Sequence, residues 1–308
     1  MSTEGVQVGA SMQAAAQEFL AGRNMSFADL KTYAPAIGEG ECLVLCGPVV
    51  QGLANAMSDI DLIYLGEADL IGATKVQLDD VFMHDVSFDP QGNEINVTRL
   101  TAAELGRMES LMASSLRGIA EPTGSEHAVQ TDPRRLELLH RLRNGLALTN
   151  DAVFQDWRRR LLVDQLHEHL CFHAIIDYYA YREDVFGELS DGAVESASWI
   201  ARTLLAQKLA AALLHSAGIT NTTTKWYVKL LQRHRDAIGA ETVDGLLNFV
   251  ARGPWSDAEA LKAEIETVLE PAIAAIVARH RAIRRATLAF GHTLRYRNLR
   301  KMADTLKH

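Results

Sequence analysis

The spacing of apolar residues changes once along this chain, near position 100. Upstream they come in short continuous runs. Cys42-Leu43-Val44-Leu45-Cys46 and the 59–65 run Asp-Ile-Asp-Leu-Ile-Tyr-Leu have the length and composition of strands. A hairpin is expected over 81–88 and 94–100, because Asp89-Pro90-Gln91-Gly92-Asn93 between them is turn chemistry. Ahead of these, 11–22 carries helix formers ending on a glycine, and Ser26-Phe27-Ala28-Asp29 reads as a helix start. From Thr101 onward the strand signal is gone. Residues 101–118 read as a helix, and Leu136, Leu139, Leu142 and Leu146 open a series at helical spacing that runs almost to the end. Pro122, Gly124 and Pro133 break the pattern at 121–133, which makes that stretch the expected linker. The fold class expected is α+β: a small mixed-sheet domain over 1–120, then an all-helical bundle domain over 134–308.

Composition narrows the function classes. The 308 residues suit one large or two ordinary domains, and 48% apolar with 23% charged residues is the balance of a globular protein. A net charge of −8 argues against coating nucleic acid through bulk charge. Cys42, Cys46 and Cys171 are odd in number and sit in apolar settings, so they read as reduced core thiols and not as a disulfide frame. The first residues lack the basic flank and apolar stretch of a signal peptide, and no apolar run reaches membrane-spanning length. The expectation is a soluble cytoplasmic protein without a membrane partner.

Chemistry concentrates between positions 46 and 65. Asp59 and Asp61 alternate along a strand, so both carboxylates point to one face and repel each other. A divalent cation resolves that repulsion, since Mg²⁺ commonly rests on one or two carboxylates plus substrate phosphates. Gly47 ends the preceding strand, and a glycine turn lets backbone amides approach a phosphate closely. Alternate aspartates also occur on solvated strand edges, so the pair alone leaves both readings open. Elsewhere, Arg141 and Arg143 lie where a helix C-terminus favours cations, although an anionic ligand would suit them too. His169 and His173 stand four residues apart on one helix face, without neighbours that complete a zinc set. The 278–301 stretch holds seven arginines, one lysine and no acid. It can contact nucleic acid, or form a terminal helix whose basic face meets the acidic bulk of the protein.

Gly47-Pro48-Val49-Val50-Gln51-Gly52 followed by Ser58-Asp59-Ile60-Asp61-Leu62 resembles the signature of the DNA-polymerase-beta-like nucleotidyltransferase superfamily, in its antibiotic and small-molecule type. That signature is an apolar strand, Gly-Ser, a second glycine, then Ser-Asp-hydrophobic-Asp-hydrophobic, and the match covers roughly the first hundred residues. The resemblance implies that Asp59 and Asp61 bind Mg²⁺ (or Mn²⁺). It also implies that Gly47, Pro48, Gly52 and Ser58 hold a nucleoside triphosphate, ATP by default. The reaction would move a nucleoside monophosphate onto a small-molecule or peptide acceptor. Members carry a third carboxylate on a later strand. Here Asn96 falls on that position, with Glu94 two residues away on the same face. An amide oxygen can ligate a metal but cannot take up a proton as a base. Pro48 stands in the place of the signature serine and offers neither hydroxyl nor N–H. A lysine of the helical domain contacts phosphate in such enzymes, which implicates Lys225, with Lys229 one turn on. Three functions remain: a metal-dependent nucleotidyltransferase, a degenerate relative that binds a nucleotide or a partner without turnover, or transfer onto, or binding to, RNA through 278–301. Acceptor, nucleobase and oligomeric state are not encoded legibly.

Overall fold

The computed structural model describes residues 3–70, 75–77, 83–121 and 132–293. Packing divides the chain into two compact units, Met1–Met112 with Asp132–Asp164, and Ala113–Thr131 with Gln165–His308. The class is α+β, a mixed sheet followed by helices. Residues 122–131 of the expected linker lie outside the described residues.

Among its described residues, the first unit is built on six strands: β1 (Cys42–Cys46), β2 (Ile60–Leu65), β3 (Lys75–Gln77), β4 (Met83–Phe88), β5 (Glu94–Leu100) and β6 (Leu146–Ala147), in the sheet order β3-β4-β5-β2-β1-β6. β1 is buried along its whole length, which is why its sequence is a continuous apolar run and not an alternation. It pairs antiparallel with β2, placing Cys46 opposite Asp61, and β2 pairs parallel with β5, placing Asp61 opposite Asn96. The β4–β5 hairpin forms where the turn chemistry predicted it. Asp89 closes the loop by accepting from the backbone N–H of Gln91 at 2.9 Å and of Asn93 at 2.7 Å, and from Asn93 Nδ2 at 2.7 Å. Gly92 supplies the left-handed residue, with φ +82°.

Alternation sorts the two sheet faces. Leu43, Leu45, Ile60, Leu62, Tyr64, Ile95 and Val97 join the buried cluster that includes Ala16 and Leu20 of the helix Thr3–Ala21. Ser26 opens the next short helix through a capping box with Asp29. Asp61, Asn96 and Thr98 project to the opposite face, where the helices Pro133–Arg143 and Asp151–Arg160 pack on β1. Gly145 permits that packing, because a Cβ there would stand 2.5 Å from Val44 Cγ1.

β6 corrects one expectation. The residues from 134 onward read as helical throughout, with Leu146 in the helical series. Leu146 instead pairs with Leu45, and the helix before it ends at Arg143. A two-residue strand is too short to impose a period of its own, so its apolar residue simply continued the helical count.

The second unit is helical. Its longest element, Leu166–Ser190, packs on Val194–Ile200 and Ala206–Ser216. π-Helical turns occur at Ala201–Leu205 and Ile265–Leu269. Among the described residues, no helix is long and apolar enough to cross a membrane. The described part of the basic stretch ends the helix Glu270–Arg279 and forms the helix Arg281–Thr293, whose Ile283, Ala286 and Thr287 are buried. Residues 294–301 of that stretch lie outside the described residues.

Candidate carboxylate site

β2 and β5 bring the predicted acidic residues together. Asp59 Oδ2 accepts a hydrogen bond from Asn96 Nδ2 at 2.7 Å, and the same amide nitrogen reaches Glu94 Oε1 at 3.3 Å. The parallel register sets Asn96 beside Asp61 on the neighbouring strand. Asp59, Asp61, Glu94 and Asn96 therefore form one cluster at the end of the sheet that the Gly47 turn closes.

Asp61 is the buried member, 4% exposed. Its Oδ1 pairs with Arg141 Nη1 at 2.9 Å, and Arg141 Nη2 pairs with Glu137 Oε1 at 2.7 Å. Its Oδ2 faces Gly47, where a Cβ would stand only 2.4 Å away. Gly47 also has φ +76°, so this position requires glycine both for the turn and for the approach of the carboxylate. Burial pushes the Asp61 carboxyl up to about 6; Arg141 works to lower it, while Asp59 and Glu137 add to the rise. For Arg141, burial works to lower the pKa, but Asp61, Cys46 and Glu137 raise it further, so the guanidinium stays charged. The buried Cys46 thiol donates to the Asp61 carbonyl at 3.4 Å and is pushed well up by burial.

The turn explains its proline. Gly47–Val49 is a single 3₁₀ turn with Pro48 in its first positions, where an N–H has no helical partner to lose. The Pro48 carbonyl accepts from Leu53 N at 2.9 Å and Ala54 N at 3.2 Å, fastening the following segment. Gly52 stands at the end of this segment with φ +61°. Ser58 Oγ accepts from Asn55 N at 2.9 Å and so closes the loop ahead of Asp59. Lys225 and Lys229 belong to the second unit. Both ammonium groups lie over the Trp226 ring, at 4.8 and 5.2 Å from its centroid.

The first unit adds residues that the sequence did not single out. Glu137 enters through Arg141. His84 lies opposite Thr98 in the β4–β5 register, with Nδ1 3.1 Å from Thr98 Oγ1. Burial and Arg141 lower the His84 pKa, against Asn96, Asp85 and Glu94. Gln51 Nε2 reaches His140 Nε2 at 3.2 Å, tying the segment after the turn to the helix that carries Arg141. His84 had a signal in its alternation with Asp85 and Val86 on a predicted strand; Glu137 had the i, i+4 spacing to Arg141. In the second unit, the His169 and His173 rings lie 4.4 Å apart at a tilt of 49°, and His169 shares a hydrogen bond with Ser115. Burial lowers His169 to about 3, with help from His173 and His215, so it is a neutral interior histidine.

The donor set suits a hard cation. Asp59, Asp61 and Glu94 offer carboxylate oxygens, Asn96 turns its amide nitrogen toward Asp59 and Glu94, and the Arg141 cation already stands against Asp61. Among the described residues no group of three or more His, Cys, Asp or Glu side chains could hold a metal ion alone.

These features define an α+β protein with a carboxylate cluster at a glycine turn. The chain belongs to DUF6001, a family of unknown function whose model matches residues 7–295. No curated protein matches it. Among solved structures, a nucleotidyltransferase-like protein from Exiguobacterium sibiricum 255-15 is 11% identical, with 82% of this chain and 72% of that chain covered, at a TM-score of 0.38. A likeness that remote carries no argument about function.

Proposed function

We propose that this protein is a metal-dependent nucleotidyltransferase that moves a nucleoside monophosphate from an NTP, ATP by default, onto a small-molecule or peptide acceptor. One observation carries the reading: Asp59, Asp61, Glu94 and Asn96 gather on one sheet face beside a glycine turn that admits no side chain. Such a face is too acidic to receive a triphosphate by itself. A divalent ion is what would make the two compatible. Asp59 and Asp61 would hold Mg²⁺ or Mn²⁺, with Glu94 and the Asn96 oxygen supplementing them. The ion would supply neutralisation of phosphate charge, the main requirement of phosphoryl chemistry.

The residues of this chain would contribute positioning. The Gly47 turn would seat the phosphates with one amide fewer than a serine turn offers, because Pro48 has no N–H. Gly52 and Ser58 would hold the shape of that turn. With Asn96 in place of a carboxylate, Glu94 is the group available to accept the acceptor's proton.

Asn96 and Pro48 favour one second reading, a nucleotide-binding relative without turnover. Incubating the full chain with ATP, Mg²⁺ and cell extract, and reading pyrophosphate together with nucleotide-adduct masses, separates the two. Pyrophosphate release that disappears in Asp59→Asn and Asp61→Asn supports transfer. Mg²⁺-dependent ATP binding without release supports the second reading, and absence of both overturns the proposal.

A further inference from the structure

The charges on the sheet face do not balance. Asp59, Asp61, Glu94 and Glu137 bring carboxylates, and Arg141 brings a guanidinium that divides itself between Asp61 and Glu137. The two halves of that bridge differ in burial. The Asp61 side chain is 5% exposed and Glu137 43%, with Arg141 between them at 22%. The guanidinium therefore has one partner in the interior and a second at the solvent edge, four residues back on its own helix. Losing the interior partner would leave Arg141 still paired and better hydrated. Losing Arg141 without replacement would leave Asp61 buried and uncompensated, which is strongly unfavourable.

We infer that Arg141 is a displaceable counter-ion for Asp61. It holds the buried carboxylate while no metal is bound, and withdraws toward Glu137 and the incoming phosphate when a divalent cation takes Asp61. The inference rests on the proposed function for the cation and the phosphate, and on the Asp61–Arg141–Glu137 geometry for the exchange. Three observations fit this role. Arg141 remains cationic, so it can compensate a carboxylate or a phosphate without a proton moving. Arg141 engages only Oδ1 of Asp61, while the other oxygen, Oδ2, lies against the side-chain-free Gly47 turn. Gln51 and His140 link the turn segment to the helix bearing Arg141, so the phosphate-side turn and the counter-ion are held in one arrangement. The consequence is an ordered site: metal alone must compete with the guanidinium, while metal with nucleotide gives the guanidinium somewhere to go. Arg141 is thus a positioning residue whose effect appears in binding order.

Mn²⁺ binding to the full chain, followed by electron paramagnetic resonance with and without a non-hydrolysable ATP analogue, tests this directly. In Arg141→Gln, Mn²⁺ alone should bind about tenfold tighter than in the wild type, the factor that about 1.4 kcal/mol of lost competition represents. The nucleotide analogue should in turn bind more weakly to the Mn²⁺-loaded variant, and Arg141→Lys should restore the wild-type order. Wild-type Mn²⁺ binding that Asp61→Asn abolishes but Arg141→Gln leaves unchanged or weakens would overturn the inference and leave the proposed function standing. No Mn²⁺ binding to either protein, with or without nucleotide, would overturn both. Should Arg141→Gln not fold, the wild-type protein carries the test alone. The Arg141 side-chain NMR signals should move when Mg²⁺ binds, and unmoved signals at Mg²⁺ saturation would refute displacement.

Discussion

Replacing Gly47 with alanine should damage this protein through two separable effects. The backbone there is left-handed, φ +76°, which costs a residue bearing a Cβ about 1–2 kcal/mol. The added methyl would also stand 2.4 Å from Asp61 Oδ2, about 1 Å inside ordinary contact. That oxygen cannot swing away freely, because Oδ1 of the same carboxylate is held by Arg141 at 2.9 Å in a buried setting. Overpacking of this kind costs about 1–3 kcal/mol, so Gly47→Ala should lose about 2–5 kcal/mol in all. Two units make a single unfolding transition an unsafe measure. Hydrogen exchange read by mass spectrometry on peptides covering β1 and β2 reports the local opening free energy instead. A cycle with Asp61→Ala separates the effects. The left-handed cost stays, the clash with the carboxylate goes, and the coupling should be about 1 kcal/mol or more. Unchanged protection in Gly47→Ala, or strict additivity with Asp61→Ala, would refute the packing of the turn against the carboxylate.

Three further outcomes follow from the same site. The Asp61 carboxyl titrates at about 6 when folded and at about 3.9 unfolded. The folded state thus keeps a proton the unfolded chain has released; the stabilisation is full below about pH 4 and lost as pH rises through about 6, about 3 kcal/mol in all. Asp61→Asn should flatten that part of the curve, and hydrogen-exchange protection of the β1 and β2 peptides that runs parallel in the two proteins from pH 4 to 7, after correction for intrinsic exchange, would contradict the assignment. Pro48→Ser keeps the carbonyl that binds Leu53 and Ala54, so stability should fall by less than about 1 kcal/mol. The regained N–H and hydroxyl should tighten ATP binding in calorimetry, and no change in affinity would remove the turn from the phosphate site. Asn96→Asp turns the 2.7 Å donor to Asp59 into a like charge. Hydrogen-exchange protection of its β2 and β5 peptides should fall in chelator and recover with Mg²⁺ more than the wild type's; equal recovery would argue against a cation between these groups.

Legibility differed by kind of residue. β1 was readable to the residue, because a strand buried on both faces writes itself as an apolar run. β2 was readable to within one position, and the β4–β5 hairpin through Asp89 and Gly92, whose roles are local. The clustering of Asp59 with Glu94 and Asn96 was expected from the resemblance and from strand alternation. What sequence withheld is long-range. Arg141 looked like a cation completing a helix C-terminus, and helical periodicity identifies a face without saying what lies opposite it. β6 went unread for a related reason: two residues carry no period, and only the pairing with β1 makes them a strand. Residues 132–164 belong to the first unit, where the helices Pro133–Arg143 and Asp151–Arg160 pack on β1 beside the β6 pairing.

The most direct test of the account is calorimetric titration of the full chain with ATP, with and without Mg²⁺, beside the Asp59→Asn/Asp61→Asn double variant. The account predicts ATP binding that requires Mg²⁺ and vanishes in the double variant while its fold persists. Binding that ignores Mg²⁺, or that survives loss of both carboxylates, would contradict it.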